Sequence, residues 1–143
     1  MTFVNSDCGI MEIKDFFKND RFAGCVGIEI LEASEGRAKT RLEIKDEHLN
    51  AMNIAHGGAI FTLADLTFAV ASNSHGNVAV ALNVNISFVK SAGKGMLYAE
   101  AAETSRNHKI ATYSILITNA QGELIASAQG MAYRKKELIN RAD

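Results

Sequence analysis

A chain of 143 residues with 48% hydrophobic residues has ordinary globular usage, and its length predicts one domain spanning residues 1–143. Its 15 basic and 16 acidic residues leave a formal charge of −1, which excludes the basic footprint of a nucleic-acid binder or of a protein held to an anionic membrane surface. Two cysteines, Cys8 and Cys25, are too few for a disulfide framework and too far apart for a metal knuckle, so both are expected as reduced thiols in a cytoplasmic protein.

The first residues lack the basic n-region and the uninterrupted apolar stretch of a signal peptide. Residues 10–19 place Ile10, Ile13, Phe16 and Phe17 at helical spacing and predict a short amphipathic helix. Residues 26–31 and 37–44 then read as a hairpin around Ala33-Ser34-Glu35-Gly36. The second arm alternates, with Ala38, Thr40, Leu42 and Ile44 facing one way and charges the other. From 58 to 72 the pattern becomes apolar on every side and rich in helix formers, so this helix must be wrapped by other structure. Asp65 interrupts it, and no membrane span is expected. Residues 78–89, 96–104, 110–119 and 124–134 read as four strands joined by turns at Gly93-Lys94-Gly95, Arg106–Lys109 and Ala120-Gln121-Gly122. Proline is absent, no linker or repeat stands out, and the Asn85-Ile86-Ser87 sequon is a chance occurrence on this reading. The fold expected is α+β: a curved antiparallel sheet around one apolar helix. The sheet's far face then needs cover, which argues for an oligomer.

The chemistry concentrates between Asn50 and Asp65. A carboxylate among Leu63, Ala64, Leu66 and Phe68 has two readings. It is either a solvated group on the helix's one exposed strip or a desolvated base or nucleophile. His56-Gly57-Gly58 opens the helix, where glycines admit close backbone approach and unpaired N–H groups suit an oxyanion; a plain loop-to-helix junction would look the same. Asn50 alone reads as a turn residue. Nine residues separate His56 from Asp65, which puts them on opposite sides of a helix and about 13 Å apart along it. If both act on one atom, the site lies between two subunits.

Taken together, Asn50, His56-Gly57-Gly58, and Ile60-Phe61-Thr62-Leu63-Ala64-Asp65 resemble the PaaI-type hotdog thioesterases, relatives of the 4-hydroxybenzoyl-CoA thioesterases. The order of elements is similar over nearly the whole chain. The resemblance implies a hotdog fold, hydrolysis of acyl-CoA without cofactor or metal, and assembly as dimers or dimers of dimers, the latter homotetramers. Carried over by position, Asp65 is nucleophile or general base and the Gly57 N–H polarises the thioester carbonyl. Asn50 orients water or carbonyl, and His56 supports the loop and the thiolate side. Two positions depart from the pattern: Asn53 stands where the family commonly has Gly, and Ala81 where some relatives carry a hydroxyl, with Asn83 close by.

For substrate contacts, Gly58 and Phe61 lie near the reacting end, and Met52, Leu66 and Phe68 are expected to line the acyl pocket. Lys90, Lys94, Arg106 and Lys109, at strand ends, are candidates for CoA phosphates, or are solubilising turn charges. His48, His75 and His108 form no metal-ligand spacing, and no G-x-S-x-G elbow occurs. Two further readings remain beside the thioesterase: an acyl-thioester hydratase or dehydratase, and a non-catalytic acyl-CoA binder.

Overall fold

The computed structural model describes residues 13–139. Residues 13–17 are helical, whereas residues 10–12 of the first predicted helix, and Cys8, lie outside that range. The elements that follow are α1 (Arg21–Val26), β1 (Glu29–Ser34), β2 (Arg37–Ile44), α2 (Gly57–Asn73), β3 (Asn77–Phe88), β4 (Gly95–Arg106), β5 (Ile110–Asn119) and β6 (Leu124–Leu138).

The six strands form one antiparallel sheet in the order β1-β2-β4-β5-β6-β3. Helix α2 touches every strand, so the sheet curls around it. Strand period decides which side chains meet it: Ala111, Tyr113, Ile115 and Ile117 of β5 are buried, while the intervening residues face outward. Close packing leaves specific signatures. Phe68 of α2 lies so near Gly130 of β6 that a Cβ there would sit 2.7 Å from its ring, and the ring meets Tyr113 edge-on at 5.5 Å. Thr67, fully buried, donates to the Leu63 carbonyl (2.6 Å), so the hydrogen between Thr67 and Thr40 of β2 (2.7 Å) comes from Thr40.

The expected strand at 26–31 is corrected: Val26 ends α1 and β1 starts at Glu29. Asp20 caps this helix by accepting from the Ala23 N–H (3.0 Å), and Gly27 stops it with φ +99°, a left-handed conformation suited to glycine. Only Ala23 of α1 is buried, so it has almost no apolar periodicity to read.

The two sheet edges differ. β1 is short, bulged between Ile30 and Glu32, and carries charges, which are the usual protections of an edge. β3 is twelve residues long and exposes Val80, Leu82 and Phe88. A bulge between Ala81 and Asn83 sets the facing of its side chains. Ala81 pairs with the fully buried Ala132 and shares the helix-facing side, while Asn83 pairs with the exposed Met131.

Candidate active site

The loop before α2 is knotted on itself. Leu49 bridges Ala55, the His56 N–H donates to the His48 carbonyl (2.8 Å), and the Asn50 N–H donates to the Ile54 carbonyl (2.8 Å). Asn50 and the start of α2 are thereby drawn to one end of the molecule. The Asn50 Oδ1 accepts from the N–H groups of Met52 (2.9 Å) and Ile54 (3.3 Å). Its oxygen is thus turned into the loop, which leaves the amide NH₂ to donate outward. Asn53 completes the turn with φ +59° and donates its N–H to the Asn50 carbonyl (3.0 Å). The loop keeps the backbone a glycine would adopt, because Asn is the residue that best tolerates this region after glycine.

His56 is the helix N-cap. Its Nδ1 accepts from the Gly58 N–H (2.8 Å), so in the neutral ring the proton is on Nε2. With the Ala59 and Ile60 N–H groups both directed at the His56 carbonyl, the Gly57 N–H is left without a partner among the described residues. One donor, on a residue with no side chain to obstruct it, therefore points from the positive end of a 17-residue helix.

On α2 the sheet buries Ile60, Leu63, Ala64, Leu66, Thr67 and Phe68. A strip made of Phe61, Thr62, Asp65 and Ala69 is left only partly covered, and Asp65 is half-buried on it. Burial, and then the negative charge of Asp20, push the Asp65 carboxyl above the usual carboxylate range. Asp20 lines a cleft of about 460 Å³ with Phe17, Ile28, Ile30 and Leu66 beside this strip. Asp20 was not among the residues the motif singled out; only its helix-capping pattern could be read beforehand.

The remaining predicted contacts are placed as follows. Phe61 and Met52 are exposed and open to a ligand, but Phe68 is sealed beneath Gly130, a correction to its expected place in the acyl pocket. Lys90 is paired with Glu123 and Lys94 with Asp46. Arg106 belongs to a cluster in which Glu103 accepts from Tyr113 (3.0 Å) and meets His75 (2.6 Å). Burial raises the Glu103 carboxyl, but these hydrogen bonds and the charges of His75 and Arg106 outweigh it and hold the group below its ordinary range. Asn83 points away from the helix face, so it cannot reach Asp65 of its own chain.

One N–H at the helix end is without a partner among the described residues, a carboxylate of raised proton affinity lies further along the same helix, and a single antiparallel sheet wraps that helix, the architecture of a hotdog fold. The Thioesterase superfamily profile matches residues 52–126. A protein of Archaeoglobus fulgidus is 47% identical over 130 residues, covering 90% of this chain and 84% of its own. The acyl-coenzyme A thioesterase PaaI of Escherichia coli is 34% identical over 119 residues, covering 82% and 85%. The solved structure of the E. coli PaaI protein superposes with a TM-score of 0.86 over 90% of this chain and 94% of that one. A Streptococcus mutans protein solved bound to acetyl CoA, 26% identical, gives a TM-score of 0.73 over 76% and 89%. The chain belongs to the thioesterase superfamily, in its PaaI-type hotdog branch.

Proposed function

We infer that this chain hydrolyses acyl-CoA thioesters to free acid and CoA, at a site shared by two copies. The observation that carries the reading is the division of labour along α2: an unpartnered N–H at Gly57 and a carboxylate of raised proton affinity at Asp65. The kinship with the E. coli thioesterase PaaI, and the acetyl CoA bound by the S. mutans protein, supply the substrate class.

In this reading the thioester carbonyl lies against the Gly57 N–H and the outward NH₂ of Asn50, donors that strengthen as the oxygen becomes an oxyanion. Asp65 acts opposite them, as general base on a water or as nucleophile. His56 holds the donor in place through its cap, Gly58 keeps the approach open, and Phe61 lines the acyl side. Asp65 of one copy serves the helix end of the other, since the two groups diverge on a single α2. The long β3 edge with its exposed Val80 and Leu82 suits strand-to-strand pairing of two copies, and pairs of dimers remain open to the outer sheet face.

The test is release of free thiol from a panel of aryl-, short- and long-chain acyl-CoAs. The wild type is expected to turn over, and Asp65→Asn to lose turnover while remaining folded. A second reading, binding without hydrolysis, is favoured by Ala81, which offers no hydroxyl on the helix-facing side of β3. Tight acyl-CoA binding with no thiol release by the wild type would select it.

A further inference from the structure

Asp65 makes no hydrogen bond among the described residues; burial and the charge of Asp20 are what act on it. Its position is therefore set by the roll of the helix that carries it. Side chains end about 5–6 Å from a helix axis, so a roll of roughly 10° carries a carboxylate about 1 Å sideways. A misplacement of that size can cost about 10²-fold in rate when a group must meet a reacting atom. Whatever fixes the roll of α2 thus bears on the reaction.

Apolar packing fixes it poorly. The buried Ile60, Leu63, Leu66 and Val70 make contacts that attract without being directional. Cores held by shape alone lose uniqueness of arrangement before they lose stability. The Phe68 ring seated against Gly130 resists large displacements, yet it pivots on its own side-chain torsions and leaves a small roll free. From Gly57 to Ser72, one side-chain hydrogen bond leaves the helix among the described residues, the one from Thr40 of β2 to Thr67 (2.7 Å). Thr62 and Ser72 turn back onto carbonyls of their own helix. Asn73 binds Ala79 where the chain leaves for β3, more than two turns beyond Asp65.

Thr40 and Thr67 are both 0% exposed. Thr67 already donates to the Leu63 carbonyl (2.6 Å), so its own proton needs no help from Thr40. Valine would fill either place with nearly the same shape and no hydroxyl to bury. Thr40 is itself firmly held, since it lies on an inner strand and pairs with Ile30 of β1 and Ala99 of β4. Thr67 follows Asp65 by two residues, about 200° around the helix, so the bond and the carboxylate stand on nearly opposite sides.

We propose that Thr40 and Thr67 are positioning residues for the hydrolysis: their bond pins the back of α2 to β2 and so sets where Asp65 stands in front. The proposal rests on the acyl-CoA reading and adds to it two residues that never touch the substrate.

The deciding variant is Thr40→Val/Thr67→Val, in which both hydroxyls give way to methyl groups. Replacing both partners of a buried bond by apolar groups of the same shape is nearly neutral for stability, whereas removing one strands the other. The double variant is therefore expected to fold and to melt as the wild type does. Its kcat on acyl-CoA should fall at least about tenfold with KM unchanged, while Thr40→Ser, which keeps the hydroxyl, retains the wild-type kcat. Thr40→Val alone, which leaves Thr67 bonded to Leu63, carries the same expectations if the double variant does not fold. Titration of the Asp65 carboxyl by NMR is the readout that needs no turnover. In the valine variant it should move toward the ordinary aspartate range, because a freed helix lets the half-buried carboxylate reach water. A valine variant with wild-type kcat, an Asp65 titration that stays in place, or a Thr40→Ser as slow as the valine variant overturns the proposal and leaves the hydrolase reading standing. A wild type that releases no thiol overturns the hydrolase reading instead, and the carboxyl titration alone then decides whether the two threonines set Asp65.

Discussion

Asp65 is held where its ionised form is disfavoured, and this has two measurable consequences. Burial and Asp20 raise its proton affinity in the folded chain. The folded state then binds that proton more tightly than the unfolded state, so the associated stability is present below the unfolded value of roughly 4 and is lost as pH rises through the higher folded one. At neutral pH the ionised carboxylate is a net cost. Asp65→Asn is therefore expected to melt above wild type at pH 7, with the gap closing in acid, while thioester hydrolysis falls by about 10²–10⁴-fold. Differential scanning calorimetry beside the thiol assay checks both signs. The acid limb of kcat/KM should lie above the ordinary aspartate range, and Asp20→Asn should move it to lower pH by removing the repelling charge. A limb that stays in place would show that Asp20 does not tune the site. Asn53 gives a third residue-level expectation. With φ at +59°, Asn53→Gly should be tolerated and Asn53→Ala should cost about 1 kcal/mol in urea denaturation.

Among the elements, α2 and strands β2, β4 and β5 are legible because their apolar residues recur simply: around nearly every side of the helix, at alternate positions in the strands. Helix α1 is not. It spans six residues and buries one, so its only signals are Asp20 and Gly27 at its ends, and β1 starts three residues after the strand the alternation predicts. Much the same division holds at the site. His56, Gly57 and Asp65 of the candidate site stand out in the sequence, since a motif on one helix is local. That Lys90 is engaged by Glu123 could not be read there, because that partner lies 33 residues away in sequence; Glu103 is only three residues before Arg106, but on a regular strand that spacing faces the two apart, and the bulge between Glu103 and Ser105 has no mark in the sequence. Nor could the fit of Phe68 under Gly130, which makes that glycine a packing requirement with no turn to mark it. Gly130→Ala should force the ring aside and destabilise the fold by about 1–3 kcal/mol, whereas an alanine at Gly93, where nothing lies within 4 Å, meets no neighbour. Chemical denaturation of the two variants side by side would separate packing from general glycine effects.

At the level of the molecule, the divergence of Asp65 from the Gly57 end makes a prediction about mixtures. On the proposed site shared by two copies, the Asp65→Asn and Asn50→Ala variants should each be nearly inactive. Subunits exchanged between them should recover about a quarter of wild-type turnover, the statistical share for one intact site in half of the dimers. No recovery after verified exchange would place the site within one chain. The strand order carries a further consequence, one of timing. β3 follows the central helix directly in sequence, yet its hydrogen-bonded neighbour within the chain is β6, the last strand. During synthesis the most apolar helix and the longest apolar edge are therefore made early and must wait for some forty more residues before the strand that secures them emerges. Folding governed by such distant pairings is slow and leaves sticky intermediates. Chains that stall or are cut before Leu124 should thus be the ones that aggregate or recruit chaperones.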